Sequence, residues 1–490
     1  MGSRYDEVMS LSVRKGFIWP TADIYGGFGG FYDYGHLGAS LKRKWEDVWL
    51  RHFVTSEENY HLVDTSNVLP YKSLKASGHV EHFTDVMAEC SKCGESFRGD
   101  QLLEDVLGVS AEGMSPEEID AKIGELNLKC PDCGGDFGTT EPFNMMFPVF
   151  VGPAGTERAF LRPETAQGVY LNFKREFEAL RRRLPMGLAI MGRAFRNEIS
   201  PRQGAYRMRE FLQAELQIFF DPEQEDFPSF VSPSDFERVK LRVSFEEDRE
   251  KILELGCQEL LDRDLPWFYV SHMAKVQGFY LDVLKYPPEK FRFAELGEGE
   301  RAFYNKIHFD IQISMDSLGG FREVAGVHYR TDHDLSGHEK ESHEKMRISR
   351  EGRKFIPHVL ELSFGIDRNI WSLLDTFYEK DERSILKLPT VLAPIQAGVF
   401  PLLSRDGLPE LAEKTYRILR KDFDCFYDSS GSIGRRYARM DEIGTPYCIT
   451  VDHQSLKDND VTIRERDTTD QVREGIDVLP DVLGKLLRGR

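Results

Sequence analysis

The alternation of apolar and polar positions is sharpest between Gly192 and Phe220, in "GRAFRNEISPRQGAYRMREFLQAELQIFF". Leu212, Ala214, Leu216, Ile218 and Phe220 fall on one face of an extended chain, and Arg209, Phe211, Gln213, Glu215 and Gln217 on the other. Upstream, Arg196 and Glu198 share a face while Phe195 and Ile199 point oppositely, and "SPRQGAY" has the Pro and Gly of a long turn. The pattern predicts an antiparallel hairpin with an ionic face opposite its core face. Five arginines and three glutamates between Arg193 and Glu215 are many charges for a sheet. A solvated outer face with weak ion pairs is the plain alternative.

Along the rest of the chain the periodicity changes. Leu37, Leu41, Trp45, Val48 and Trp49 have helical spacing, and a β-like segment, "YHLVDTSNVLP", follows and stops at Pro70. Residues 84–140 differ in composition, with a CxxC, the acidic helical stretch "SPEEIDAKIGEL" and a second CxxC, and read as an insertion. "HVLELSFGIDRNIWSLLDTF" predicts a buried strand running straight into a helix with Ile366, Ile370, Leu374 and Phe377 inward, and strands are expected near 305–330. Residues 221–300 read as acidic and irregular, a second insertion. After "KDERSILKLP" the pattern becomes β–α–β, beginning at "VLAPIQAGVF" and ending in a helix expected to start near Asp470. The expected divisions are 1–83, 141–220 and 301–387 for a core in three pieces, 84–140 and 221–300 for insertions, and 388–490 for a separate domain.

Composition adds limits. The 490 residues, 40% hydrophobic, suit a globular chain of about three domains. A formal charge of −18 argues against indiscriminate nucleic-acid binding, but the charge is uneven. Residues 221–300 carry 10 Lys/Arg against 19 Asp/Glu, and residues 389–490 carry 15 against 17, so a polyanion could still meet local basic surface. "MGSRYDEVMSLS" has no apolar secretory region and no apolar run reaches membrane-spanning length, so a cytoplasmic protein with no membrane partner is expected. Four of the seven cysteines, Cys90, Cys93, Cys130 and Cys133, form two CxxC pairs 36 residues apart, each followed by glycine. That is the knuckle spacing of a structural Zn²⁺ site with four thiolates and no open position.

The charged face suggests a chemistry. Arg368 lies in the first turn of the helix after Gly365, where it opposes the helix dipole. An anion bound at that helix start would explain it; alone, an exposed arginine is the ordinary reading. Together, Arg196 and Arg368 could grip two phosphates of one triphosphate, Phe211 could stack on a base, and Glu198 and Glu323 could hold hydrogen bonds and Mg²⁺. There is no GxxxxGK[ST] and no convincing GxGxxG, and "GGFGG" reads as loop.

At these residues the chain resembles a family. FRNE at 195–198 followed by REF at 209–211 looks like motif 2 of the class II aminoacyl-tRNA synthetases, "GIDR" at 365–368 looks like motif 3, and the stretch ending at Pro70 is similar to motif 1. "YDYGHLGASLK", "LRPETAQG", "FRNEISPR", "REFLQAE" and "ELSFGIDR", in this order, resemble the glycyl-tRNA synthetases of single-chain, homodimeric type over essentially the whole chain. The resemblance implies an α/β protein with an α+β catalytic core: an antiparallel sheet flanked by helices, interrupted by the zinc knuckle and the acidic insertion. The last hundred residues would be a mixed α/β anticodon-binding domain. Motif 3 usually ends in Glu-Arg, whereas Asp367-Arg368 stands here, a form that suits the glycyl group.

The implied activity is ATP-dependent attachment of glycine to tRNA(Gly) through glycyl-adenylate, by a homodimer using ATP, Mg²⁺ and a structural Zn²⁺. Arg196, Glu198 and Arg368 would be catalytic. The nucleotide set adds Asn197, Tyr206, Arg209, Glu210, Phe211, Glu323, Val324, Gly365 and Asp367, with Arg196 on the α-phosphate, Glu198 on the adenine side, Glu323 acting through metal and Arg368 on the terminal phosphate. For glycine, the resemblance implies Arg98, Glu164, Phe211, Gln213, Glu215, Glu361, Ser363 and Gly365. The alternatives are a non-catalytic synthetase-like nucleic-acid-binding dimer, or a threonyl-, prolyl- or histidyl-type synthetase. His328, His333 and His338 fit no standard metal spacing and read as ordinary polar or tRNA-end contacts, and the arginines at 181–183 as a tRNA contact or a solvated helix end. Arg435, Arg436 and Arg439 are basic candidates for the anticodon arm, against a solvated surface.

Overall fold

The structure is a computed structural model that describes residues 3–488 except 108–110, 112, 202, 224–235, 237, 298, 303 and 381–382. The chain opens with α1 (Arg4–Lys15), capped by Ser3, whose hydroxyl accepts from the Asp6 N–H while the Asp6 carboxylate accepts from the Ser3 N–H. It stops at Gly16, whose φ of 73° is left-handed. Next comes α2 (His36–Phe53), which buries Leu37, Leu41, Trp45, Val48 and Trp49 as the spacing predicts.

The central sheet is built from β1 (Tyr60–Val63); then, beyond the helix α3 (Ala166–Ala179), the hairpin of β2 (Met186–Phe195) and β3 (Glu210–Phe220); then β4 (Lys240–Ser244), β5 (Leu253–Gly256), β6 (Phe291–Glu295), β7 (Ile307–Met315), β8 (Gly320–Thr331) and β9 (His358–Gly365). Its nine strands lie in the order β5-β4-β6-β7-β8-β9-β3-β2-β1. All pairs are antiparallel except β4 with β6 and β2 with β1. β9 runs without a break into α4 (Ile366–Phe377), as expected.

One face of the sheet makes the core. Ala214, Leu216 and Ile218 of β3 and Leu360, Leu362 and Phe364 of β9 are all at most 1% exposed. Trp49 and Phe53 of α2 pack on Phe364 with ring centroids 5.7 and 5.1 Å apart. Each such side chain contributes about 1.5–3 kcal/mol by leaving water. This burial fixes the register of the three central strands, because a one-residue slip would turn the apolar set outward. It thereby fixes which polar side chains share the opposite face.

Three expectations change. The segment "YHLVDTSNVLP" is two strands in different sheets: β1 joins the central one, and Val68–Pro70 pairs with Glu157–Leu161. Residues 221–300 are not irregular; outside 224–235 and the other undescribed positions they supply β4, β5 and β6, one end of the central sheet. Their acidity sits on connections such as the turn Glu246–Asp248, while Leu241, Val243, Phe291 and Phe293 are buried. The third concerns the C-terminal end, described next.

The last domain has a five-stranded sheet. Its elements are β10 (Ala397–Pro401), α5 (Leu408–Leu419), β11 (Cys425–Tyr427), α6 (Ile433–Glu442), β12 (Tyr447–Val451), β13 (Asp460–Glu465), β14 (Gln471–Gly475) and α7 (Leu479–Leu487). The strand order is β11-β10-β12-β13-β14. The expected helix near Asp470 is the edge strand β14, and the helix starts at Leu479. An exposed edge strand lacks the alternation that announces a buried one. Arg436 is not a surface cation: it is 2% exposed, and its guanidinium donates to the carbonyls of Pro401, Leu402, Asp428 and Gly431. Arg435 and Arg439 remain exposed. Among the described residues no helix is long and apolar enough to cross a membrane.

Candidate active site

On the polar face of the central sheet, β3, β9 and β8 align their side chains in cross-strand rows. Gln217 pairs with Glu361, which pairs with His328; Glu215 pairs with Ser363, which pairs with Gly326; Gln213 pairs with Gly365. These rows form one end of a cleft of about 220 Å³. Its other end is made by Arg196 and Glu198 of the hairpin loop, Tyr206 of the turn Gly204–Tyr206, Arg207 just after it, Phe211, Glu323 and Arg368.

The carboxylates at the sheet end differ in their partners. Glu361 accepts from Arg330 (3.0 Å) and Gln217 (2.8 Å), and lies 2.8 Å from His328. Burial works against its charge, but Arg330 and His328 outweigh it and hold the pKa at about 2. Glu164 accepts from Gln167 (2.9 Å) and lies 3.5 Å from His79 and 3.7 Å from Arg330; burial again opposes its charge, yet these cations keep it well below the usual carboxylate range. Glu215, 2% exposed, has only hydroxyl partners, Thr165 at 2.6 Å and Ser363 at 3.0 Å. Burial, then the charges of Glu361 and Glu164, push its pKa up to about 8. Among the described residues no basic side chain stands at ion-pair distance from Glu215. It is the carboxylate that a bound cation would complete.

The other end presents positive charge and ring faces. The Arg196 guanidinium lies 5.3 Å over the Phe211 ring and donates to the Pro163 carbonyl at 3.1 Å. Arg368 pairs with Glu323 at 2.7 Å and lies 4.9 Å over the Tyr206 ring, whose hydroxyl donates to the Glu323 carbonyl at 2.8 Å. Glu198 accepts from Arg207 at 2.8 Å. Aromatic ring faces are the groups that stack on a planar base, and guanidiniums the groups that pair with phosphate oxygens.

Thirteen of the expected residues line this cleft: Glu164, Arg196, Glu198, Tyr206, Phe211, Gln213, Glu215, Glu323, Glu361, Ser363, Gly365, Asp367 and Arg368. Five do not. Glu210 follows strand parity onto the other face, where it pairs with Arg193. Arg209 precedes β3 and donates to the backbone carbonyls of Glu198 and Gly29, so it braces the loop. Val324 is in the core, its carbonyl taken by Asn369. Asn197 spends its backbone N–H on the Met145 carbonyl. Arg98 is held by Asp85 and Asp100, close enough to Glu198 to feel its charge but outside the cleft lining. Asp367 is pinned by the Tyr34 hydroxyl and the Leu212 N–H, and burial raises its pKa to about 6.

Sequence reasoning missed Arg330, which is 1% exposed, pairs with Asp334 and Glu361, and lies 4.1 Å over the Tyr304 ring. Its signal was parity with His328 along β8. His328 and His338 prove to be polar contacts, to Glu361 and Gln167. In the insertion, the four cysteine sulfurs lie within 4.8 Å of one another, with Cys90 and Cys133 at 3.5 Å and Cys93 and Cys130 at 3.7 Å. Tetrahedral zinc with bonds of about 2.3 Å would separate its sulfurs by roughly 3.8 Å, so the set fits that ion.

Comparisons with known proteins agree with this geometry. A model of the tRNA synthetase class II core domain (G, H, P, S and T) matches residues 152–377, and one of the anticodon binding domain matches 391–486. Glycine–tRNA ligases from Thermococcus sibiricus and Pyrococcus abyssi are each 37% identical, and one from Methanococcus vannielii is 36% identical. The first two matches cover 100% of both chains, and the third 99% of this chain and 100% of the relative. A crystal structure of prolyl-tRNA synthetase from Cryptosporidium parvum, complexed with halofuginone and AMPPNP, superposes with a TM-score of 0.59 at 14% identity. That match covers 100% of this chain and 77% of the other, and it speaks for the fold alone.

Proposed function

The chain belongs to the glycine–tRNA ligase family of class II aminoacyl-tRNA synthetases, and we propose that the cleft on its central sheet is where glycine is activated. The protein attaches glycine to tRNA(Gly) with ATP, which it uses with Mg²⁺. The observation that carries the proposal is the division of the cleft: a buried carboxylate held only by hydroxyls, Glu215, at one end, and Arg196, Phe211 and Arg368 at the other.

The glycine ammonium takes the place of the cation that Glu215 lacks, with Ser363 and Gln213 beside it. Glu361 and Glu164, already neutralised, shape and polarise the pocket. The glycine carboxylate then lies toward Arg196. One carboxylate oxygen attacks the α-phosphorus of ATP, the bond to the β-phosphate oxygen breaks, and pyrophosphate leaves. A terminal ribose hydroxyl of tRNA next attacks the glycyl carbonyl, and AMP departs. No nucleophilic side chain is needed, so positioning and charge neutralisation dominate. Arg196 neutralises the α-phosphate, Phe211 stacks on adenine with Glu198 at its edge, and Arg368 meets the terminal phosphate. Mg²⁺ would supply further charge neutralisation, and Glu323, which lines the cleft, would hold it.

Alanine is excluded by steric clash, which discriminates better against a larger competitor than a pocket does against a smaller one. Cys90, Cys93, Cys130 and Cys133 hold one structural Zn²⁺. Residues 388–490 bind the anticodon arm, and the chain acts as a homodimer in the cytoplasm. ATP–pyrophosphate exchange measured with each amino acid tests the central reading: glycine alone should support it, and exchange with alanine, threonine, proline or histidine at a comparable rate would overturn it.

A further inference from the structure

We propose that Tyr5 is a positioning residue for adenylate formation, seating the Gly204–Tyr206 turn against the helix that carries Arg368. The proposal rests on the reading that Glu323 and Arg368 serve ATP. Tyr5 is far from the cleft in sequence and is not among its lining residues. Its ring lies 5.4 Å from the Trp371 ring, in the middle of α4. Its hydroxyl occupies the place a side chain at residue 204 would need: a Cβ on Gly204 would fall 2.3 Å from that oxygen. The same position has a φ of +57°, so the turn combines a left-handed backbone with close approach to the tyrosine.

The tyrosine is well placed to set the position of the turn. The first turn of α1 is fastened to the end of α4, where Arg4 donates to the carbonyls of Asp375 (2.7 Å) and Tyr378 (2.5 Å). Its last turn is fastened to the C-terminal domain, where Arg14 and Lys15 pair with Glu442 at 3.0 and 2.5 Å. A helix held at both ends presents Tyr5 as a fixed surface. What rests on that surface is the turn bearing Tyr206, whose hydroxyl holds the Glu323 backbone and whose ring lies under Arg368. Moving the turn would move both groups of the triphosphate end. The rows around Glu215 and Ser363 belong to the sheet and would stay.

The test is a mutant cycle read in ATP–pyrophosphate exchange, with the KM for ATP and for glycine measured separately and the melting temperature recorded. Gly204→Ala should raise the KM for ATP about tenfold, the scale of one small-to-large overlap, with the KM for glycine within about twofold. Tyr5→Phe alone should stay within about twofold, because the ring stack persists. Tyr5→Phe combined with Gly204→Ala should recover at least about half of the loss on a logarithmic scale, since the 2.3 Å overlap with the hydroxyl goes and what remains is the backbone strain and a milder contact with ring carbon Cζ at 3.2 Å. Tyr5→Ala should raise the KM for ATP without raising that for glycine. A merely structural role would lower the active fraction and leave both KM values alone. A double variant no better than Gly204→Ala, both KM values rising together, or a folded Tyr5→Ala protein with unchanged KM for ATP would each overturn the proposal. Arg368→Ala, measured alongside, separates its failure from that of the underlying reading. A large effect there with none from Tyr5→Ala overturns the positioning role alone; no effect on ATP overturns the assignment of Arg368 and the proposal with it.

Discussion

Glu215 and Ser363 face each other across β3 and β9, with the Ser363 hydroxyl donating to the Glu215 carboxylate at 3.0 Å. With Thr165 on the other oxygen, the carboxylate is oriented by two neutral donors while no cation among the described residues stands at ion-pair distance from it. Its charge is therefore the costliest in the pocket when glycine is absent.

A pH dependence follows. With its pKa near 8, Glu215 is largely protonated at pH 7, and an incoming ammonium must displace that proton. The KM for glycine should fall as pH rises from 6.5 to 8, approaching about tenfold per unit at the acid end. Glu215→Gln should bind glycine weakly and flatten the profile. The sign for stability is opposite to that of an ordinary salt-bridged carboxylate. A raised pKa gives stability that is full below 4.5 and is lost as pH rises to about 8. Glu215→Gln should therefore be relatively more stable than the parent at pH 8 than at pH 4.5, as thermal melts at the two pH values would record.

Arg330 neutralises Glu361 and Asp334 from inside the protein. Arg330→Met should leave buried carboxylates without their cation and cost about 3–5 kcal/mol of stability. Urea denaturation checks this; a loss within error of zero would mean the ion cluster is dispensable.

Arg196→Ala should slow adenylate formation by about 10²–10³ with an unchanged melting temperature, as the loss of one preorganised contact to a transferring phosphate does. Normal exchange activity in that variant would remove Arg196 from the reaction.

Metal analysis of protein purified without chelators should find one zinc per protomer. Cys130→Ser should release it and lower the melting temperature. Four thiols titrating freely in the native, metal-free protein would contradict a zinc site.

In the C-terminal domain the arginines should separate by burial. Arg435→Ala and Arg439→Ala should weaken aminoacylation of tRNA while leaving exchange intact. Arg436→Ala should instead destabilise the domain, because its guanidinium satisfies four backbone carbonyls. Equal effects of all three on tRNA alone would contradict this division.

Much of this protein is fixed locally, and that much is legible in the chain. Strand parity in β3 separates Gln213, Glu215 and Gln217 from Leu212, Ala214 and Leu216. The spacing of Leu37, Leu41, Trp45 and Val48 gives α2, and two CxxC pairs give a cluster of four cysteines. Other features belong to pairings between distant segments. β14 is a strand only because β13 offers it hydrogen bonds, and the acidic stretch 221–300 joins the sheet because apolar residues such as Leu241, Val243, Phe291 and Phe293 find the core. The site shows the same limit. Glu215 and Glu361 are both glutamates at in-facing strand positions, and nothing local distinguishes them. Only the fold brings Arg330 and His328 to Glu361 and leaves Glu215 with hydroxyls. A buried carboxylate takes its charge state from whichever groups surround it, and here they arrive from other strands and from α3.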